Sequence, residues 1–341
     1  MPKKETGILP ILLILLQSLL YGFGDPITKK AYRVMPVFSL LAVRYMIAFA
    51  VLILLFGKRV RQNLRAVPVK DWLLPSVCIG LTYILNNLAL KLTAATSVAF
   101  LRSLSTVITP LMAFILFRDS FDRRHIVIHL AVVVGLYLLC GYGGLNGFGV
   151  GEALTLTAAC FMAGALVFGS RSLKKIDPIT LTTVQAGMSA LLALFASMLF
   201  DGGVRIGQAT PKVWAIILYL ALACTLTGYL LQNLALEKIP ARAVSLIQCT
   251  CPVMTAVFSF LLLGGKAGRC WHDRGGDYPV LCCRRIRIRL EALTRMIPAP
   301  VFFLYCQGFG GGWALLYQKR KNSPVRICLE VEGANSFPDQ K

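Results

Sequence analysis

The stretch Tyr83-Ile84-Leu85-Asn86-Asn87-Leu88-Ala89-Leu90 returns in near copy as Tyr229-Leu230-Leu231-Gln232-Asn233-Leu234-Ala235-Leu236. The match continues without a gap from 83–119 onto 229–265, at a constant offset of 146 residues. Along it Ala95 meets Ala241, Val98 meets Val244, Val107 meets Val253, Thr109 meets Thr255 and Phe114 meets Phe260. A repeat of this length means that one unit occurs twice. Whatever follows the first copy therefore predicts a counterpart after the second.

The repeated unit is apolar throughout. Hydrophobic residues make up 57% of the chain and charged residues 15%, with a mean hydropathy of +0.69. Soluble domains are far more polar. The apolar residues fill whole windows of bilayer-spanning length instead of marking one helical face. The net charge of +21 sits as short Lys/Arg runs between those windows, the distribution of membrane-flanking loops, which argues against a nucleic-acid partner. The chain has no Gly-x-x-x-x-Gly-Lys-Ser/Thr run, which argues against ATP-driven pumping. The apolar run 8–20 follows Lys3 and Lys4 like a signal peptide, but no small-x-small site ends it, so it reads as a retained first helix.

Nine spans are predicted, near 7–27, 37–56, 72–92, 95–117, 125–142, 151–170, 179–200, 213–236 and 241–263. With a cytoplasmic N-terminus, one face carries Lys3, Lys4, Lys58, Arg59, Arg61, Arg65, Lys70, Arg118, Arg123, Arg124, Arg171, Lys174, Lys175, Lys238 and Arg242. The other carries Lys29, Lys30, Arg33, Lys91, Arg205 and Lys212, so the N-terminus is expected inside. The motif occupies spans three and four, then eight and nine. The repeat is thus five spans long, and an odd number turns the second copy upside down. The expected fold is an all-α integral membrane bundle of ten helices, five plus five, as an inverted repeat with its site at the interface.

The predicted divisions are residues 1–142 for the first copy, 143–150 for a Gly-rich linker and 151–264 for the second copy through its fourth helix. The stretch 265–341 departs from the pattern. A tenth span should follow residue 265, yet the text there runs through Arg269, His272, Asp273, Arg274 and Asp277 to Arg284, Arg285, Arg287 and Arg289, which no bilayer helix tolerates. A change of reading frame near Gly264 and Gly265 accounts for the break. Shifted by one base, the codons permit Gly-Glu-Lys-Leu-Ala-Gly-Val-Gly-Met-Ile-Gly-Ala-Ala-Ile-Ile-Leu, a helix of the missing kind. The tenth helix is then lost or replaced. The alternative is that the apolar run 296–317 serves as the tenth helix despite Pro298, Pro300 and Gly310-Gly311-Gly312.

Polar residues at membrane depth need a partner or a task. Arg44, in the second span, either grips a substrate carboxylate or phosphate with its planar fork or snorkels to a helix end. Arg102 lies deeper and is expected in a cavity, with Gln248 as its repeat counterpart. Asn87 and Asn233 either line the solute path or hold helices together by hydrogen bonds. Tyr83 and Tyr229 either stack on a substrate or pack. Asp25 and Glu152 are the acids nearest membrane depth, but both read as lying near helix ends. Cys270, His272, Cys282 and Cys283 lack regular zinc spacing, so no metal site and no cofactor are assigned.

Beyond the two Asn-Leu-Ala-Leu copies, Leu19-Leu20-Tyr21-Gly22, Val43-Arg44-Tyr45 and the run from Cys251-Pro252-Val253-Met254-Thr255-Ala256 to Leu262-Leu263-Gly264 make the chain resemble the EamA-like branch of the drug/metabolite transporter superfamily. The resemblance covers roughly residues 8 to 264. It implies ten helices, an inverted five-plus-five repeat, and transport of small polar solutes, often outward and without ATP. The family usually has Gly-Glu at the end of the ninth helix, where this chain has Gly264-Gly265, and the shifted frame restores that Glu.

The expected protein is a carrier of small polar metabolites in a bacterial inner membrane, with amino acids or related compounds as the first candidates. Its partners are a small-molecule substrate and the lipid bilayer, and a homodimer is left open. The alternatives are a membrane-embedded enzyme acting on lipids, for which no clustered acids or nucleophile–base pair is found, and a product made inactive by its altered end. Sequencing the gene in closely related strains tests the frame. The shifted reading should appear there without the extra base, and an intact gene in the present frame overturns it.

Overall fold

A computed structural model describes residues 8–118 and 149–263. The expected fifth span, most of the linker and everything after residue 263 lie outside the described residues, including the Cys/His cluster and the run 296–317. The described part is helical, with no strand in it. Its first-copy helices are α1 (Leu9–Ala31), α2 (Val37–Ala66), α3 (Val69–Leu92), α4 (Ala95–Arg102) and α5 (Ser105–Phe117). The second copy has α6 (Val150–Ser172), α7 (Pro178–Phe200), α8 (Pro211–Tyr219), a π-helical stretch at Leu220–Thr227, α9 (Gly228–Lys238), α10 (Ala241–Gln248) and α11 (Cys251–Leu263). Eight helical segments among the described residues are long and apolar enough to cross a bilayer. Helix is the conformation that such windows must take, because lipid offers no partner for a free N–H or C=O. Large apolar side chains such as Leu12, Leu54, Leu55, Phe195 and Leu199 point outward, as a lipid-facing belt requires.

Three boundaries differ from expectation. Helix α1 runs on through Pro26 to Ala31, so Asp25 is inside a helix and not at its end. Helix α2 continues to Ala66, carrying Lys58, Arg59, Arg61 and Arg65 on extra turns. The stretches 95–117 and 241–263 are each two helices. At the first break Ser103 N–H donates to Phe100 C=O at 3.0 Å and Leu104 N–H to Leu101 C=O at 3.1 Å. At the second, Cys249 N–H donates to Leu246 C=O and Thr250 N–H to Ile247 C=O, at 3.2 and 3.0 Å. These i→i−3 bonds tighten the chain for one turn and bend its path.

The two breaks stand 146 residues apart, as do the ends of α3 and α9 and both ends of α4 and α10. A second correspondence, at an offset of 141, has little identity to announce it. It takes the end of α1 (Ala31) to the end of α6 (Ser172) and the start of α2 to that of α7. The connecting turns share their bonds: Val34 N–H to Ala31 C=O and Met35 N–H to Ala31 C=O match Lys175 N–H to Ser172 C=O and Ile176 N–H to Ser172 C=O.

Helix α2 packs on α7 and α3 on α6. The first pair runs antiparallel. At one end Ser39 Oγ donates to Asp201 Oδ2 at 2.9 Å; at the other Asn63 Nδ2 donates to Thr180 Oγ1 at 3.0 Å. Equivalent residues also meet midway, where the Tyr83 and Tyr229 rings stack 5.3 Å apart. Cys249 Sγ lies 4.0 Å from the carbonyl oxygen of its counterpart Ser103.

Helix α1 inserts between these elements because two glycines admit it. A Cβ on Gly22 would stand 2.4 Å from Met254 Cβ and 2.9 Å from its carbonyl carbon, while one on Gly228 would stand 2.7 Å from the Tyr21 hydroxyl. Small residues of this kind let membrane helices approach backbone to backbone. Gly22→Val should therefore push α1 from α11 and cost about 1–3 kcal/mol of overpacking strain. Thermal unfolding in detergent should show a clear drop for this variant and little change for Gly57→Ala, whose nearest neighbour would be Ile53 at 3.6 Å. Equal transitions for both would contradict this packing.

Candidate functional site

Polar side chains gather where the copies meet. One cavity, with about 480 Å³ of empty space including its open part, is lined by Gln17, Ser18, Tyr21, Tyr83, Arg102 and Gln248 among others. A second, with about 410 Å³ of empty space that again includes its open part, is lined by Tyr21, Asp25, Arg44, Tyr83, Asn86, Asn87, Arg102 and Cys224 among others. The two share Tyr21, Tyr83 and Arg102, which form the wall between them. Helices α1, α3 and α4 thus supply residues to both, and α6, α10, α11 and the π-helical stretch contribute from the second copy.

Arg102 ends α4, just before the break that turns the chain. Its Nη2 donates to Asp25 Oδ2 at 3.0 Å and to Cys251 Sγ at 3.1 Å. Thr255 Oγ1 donates to the same carboxylate oxygen at 3.1 Å. The ion pair is largely buried, with the two side chains 15% and 17% exposed. It ties α1 and α4 to α11, and so joins the copies across their interface.

Arg44 is 4% exposed. Its Nε donates to Thr225 Oγ1 at 2.8 Å, and its guanidinium carbon lies 5.1 Å from the Tyr45 ring centroid. Thr225 sits on the π-helical stretch and its Oγ1 donates a hydrogen bond to Leu220 C=O, five residues back, at 3.0 Å. Single π turns inside longer helices often mark working positions. No carboxylate among the described residues lies within ion-pair distance of Arg44.

Three glutamines close the other side. Gln17 Nε2 donates to Gln232 Oε1 at 3.0 Å, and Gln248 Nε2 donates to Gln232 Oε1 at 2.9 Å and Gln17 Oε1 at 3.2 Å. Tyr83 Oη donates to Tyr21 Oη at 2.9 Å beneath the stack with Tyr229.

Of the residues singled out from sequence, Arg44, Tyr83, Asn87, Arg102 and Gln248 line one or both cavities. Tyr229 and Asn233 line neither. Tyr229 is held between Tyr83 and Tyr45, and Asn233 Nδ2 donates to Thr182 Oγ1 and Gln185 Oε1 at 2.9 and 2.8 Å, fastening α9 to α7. Asn87 is also engaged: its Nδ2 donates to Tyr83 C=O and its Oδ1 accepts from Tyr32 Oη, both at 2.7 Å. Glu152 accepts from Thr93 Oγ1 at 2.6 Å and from Gly149 N–H at 3.1 Å, so it caps α6. Sequence reasoning passed over Gln17, Asn86 and Gln232, and it read Asp25 as an acid near a helix end where the structure has it paired with Arg102. The doubled motif contained a signal for two of these positions, since Asn86 and Gln232 are polar at the same place in both copies.

The model of the EamA-like transporter family matches residues 8–141 and again 149–269. An uncharacterised transporter of Archaeoglobus fulgidus is 27% identical over 222 residues, 64% of this chain and 66% of that protein. A second from the same organism is 26% identical over 264 residues, 75% of this chain and 89% of that one. The riboflavin transporter ImpX of Fusobacterium nucleatum is 24% identical over 275 residues, 76% and 91% of the two chains. A solved crystal structure superposes with a TM-score of 0.61 at 18% identity, covering 84% of this chain and 97% of that one. At that identity the likeness concerns the fold alone.

The Asp25–Arg102 pair yields a test. Asp25→Ala leaves a buried guanidinium without its counter-charge and should cost about 3–5 kcal/mol. The double variant Asp25→Ala/Arg102→Met should recover most of that loss in thermal unfolding. Additive losses would contradict a direct pairing.

Proposed function

Because the chain belongs to the EamA-like transporter family, we propose that it carries small polar metabolites, amino acids or related compounds, across a bacterial inner membrane, with export as the direction. The observation that carries this reading is a two-part cavity with Arg, Asp, Asn and Gln side chains in its lining, drawn from both copies, inside a bundle whose outer face is apolar. Carriers of repeated architecture bind solute midway across the membrane at the repeat interface and rock one copy against the other. In this reading Arg44, Tyr83, Asn87, Arg102 and Gln248 face the solute, and Tyr229 and Asn233 hold the platform beneath it.

The reading includes an inverted five-plus-five repeat with its N-terminus inside. Support comes from the matched helix ends, the antiparallel run of α2 and its counterpart α7, and the contacts Tyr83–Tyr229 and Ser103–Cys249. It also takes the stretch after Gly264 as a changed frame. The family match supports this: it follows the first copy to residue 141 but leaves the second at residue 269, well before the corresponding residue 287. A product inactivated by loss of its tenth helix is the second reading, and it rests on that same shortfall.

Counterflow of radiolabelled solutes into proteoliposomes separates the readings. The restored-frame chain should exchange at least one compound from a panel of polar metabolites. Exchange by the chain as given would remove the inactive-product reading, and exchange by neither would count against the carrier.

A further inference from the structure

The second cavity holds an asymmetry that the repeat exposes. In the second copy Gln232 is satisfied by Gln17 and Gln248. Its counterpart in the first copy is Asn86, which is 3% exposed and lines the cavity. The position equivalent to Gln17 is Ala158, and the position equivalent to Gln248 is Arg102, whose terminal nitrogen is turned to Asp25. Both partners that would satisfy Asn86 are thus missing or committed elsewhere. Neither its Nδ2 nor its Oδ1 has a hydrogen-bond partner among the described residues. A buried primary amide with four unused hydrogen-bonding sites is costly unless something visits it.

Charge in the same cavity is also incomplete. Arg44, Arg102 and Asp25 line it, which leaves one positive charge after the ion pair is counted. Arg44 has five N–H donors, of which Nε alone donates to a described residue. A guanidinium so placed matches a carboxylate or phosphate oxyanion. One surplus charge favours a monoanion, and a phosphate monoester carries nearer two charges at neutral pH. A free amino acid would bring an ammonium group to a cavity whose one acid is already engaged by Arg102 and Thr255.

We propose that Arg44 and Asn86 bind a molecule with one carboxylate and a neutral amide-like group, and no free cation. Arg44 takes the carboxylate through its terminal nitrogens, Asn86 takes the amide as donor and acceptor, and the Tyr21 and Tyr83 rings that line the cavity receive an apolar or aromatic body. N-acylated amino acids belong to this class. The assignment rests on the carrier reading for its biological meaning, but the binding itself does not depend on transport.

The test is binding of N-acetyl-L-phenylalanine to the purified full chain in lipid nanodiscs, followed by calorimetry. Its methyl ester, free L-phenylalanine and 3-phenylpropionate serve as comparisons. The acid should bind at least roughly tenfold more tightly than the ester or the free amino acid, as expected for a lost charge-assisted pair. It should also exceed 3-phenylpropionate, and Asn86→Leu should remove that last preference. Arg44→Gln should abolish binding of the acid and Arg44→Lys should weaken it. Equal binding of acid and ester to the unaltered chain overturns the proposal, even where the Arg44 variants fail to fold. Binding as expected without counterflow would leave the site standing and remove the carrier. Counterflow that ignores both the carboxylate and Arg44→Gln would do the reverse.

Discussion

The antiparallel seam between the two copies is the constraint on which the rest of this bundle depends. Ser39, Ser197 and Asp201 fasten it at one end, and Asn63, Asp177 and Thr180 at the other. Once α2 lies against its own counterpart with direction reversed, other equivalent residues must approach each other about the same line. Tyr83 then stacks on Tyr229, and the break at Ser103 meets the break at Cys249. Polar side chains on those helices have no lipid-facing option that is not costly, so they collect along the seam. The cavities are what remains between them.

The seam also explains why the site is asymmetric although its frame is doubled. Equivalent positions hold Arg102 and Gln248, Asn86 and Gln232, Arg44 and Gln185. In each pair except the second, the first copy has a cation where the second has a neutral amide. The amides of the second copy, Gln232, Gln248, Asn233 and Gln185, therefore satisfy one another with the help of Gln17 from the first. The first copy has charge to place. It uses Asp25 for Arg102 and leaves Arg44 with a hydroxyl and an aromatic face.

Much of this was legible beforehand, and the exceptions have physical causes. Strong identity from residue 83 onward revealed the later part of the repeat. The earlier part, at its different offset, pairs Tyr21 with Met162 and Arg44 with Gln185, so only backbone bonds betray it. The helix breaks at 103–104 and 249–250 contain Ser-Leu and Cys-Thr, and only the second has a proline nearby, Pro252 in the first turn of α11. Asp25 was read as lying near a helix end because the first span was expected to stop near residue 27, yet the helix absorbs Pro26 and continues to Ala31. Asn87 drew attention because its counterpart is identical, whereas Asn86 carries the open amide and differs from Gln232 by one methylene.

Inversion of the two copies is the central claim, and sidedness measures it most directly. Arg33 and Lys174 occupy equivalent exposed places in the turns that follow α1 and α6. In a chain whose native cysteines have been replaced, Arg33→Cys and Lys174→Cys can each be exposed to an impermeant maleimide outside intact cells. The inverted repeat predicts labelling at position 33 and none at position 174 until the membrane is permeabilised. Labelling of both positions from the same side would contradict it.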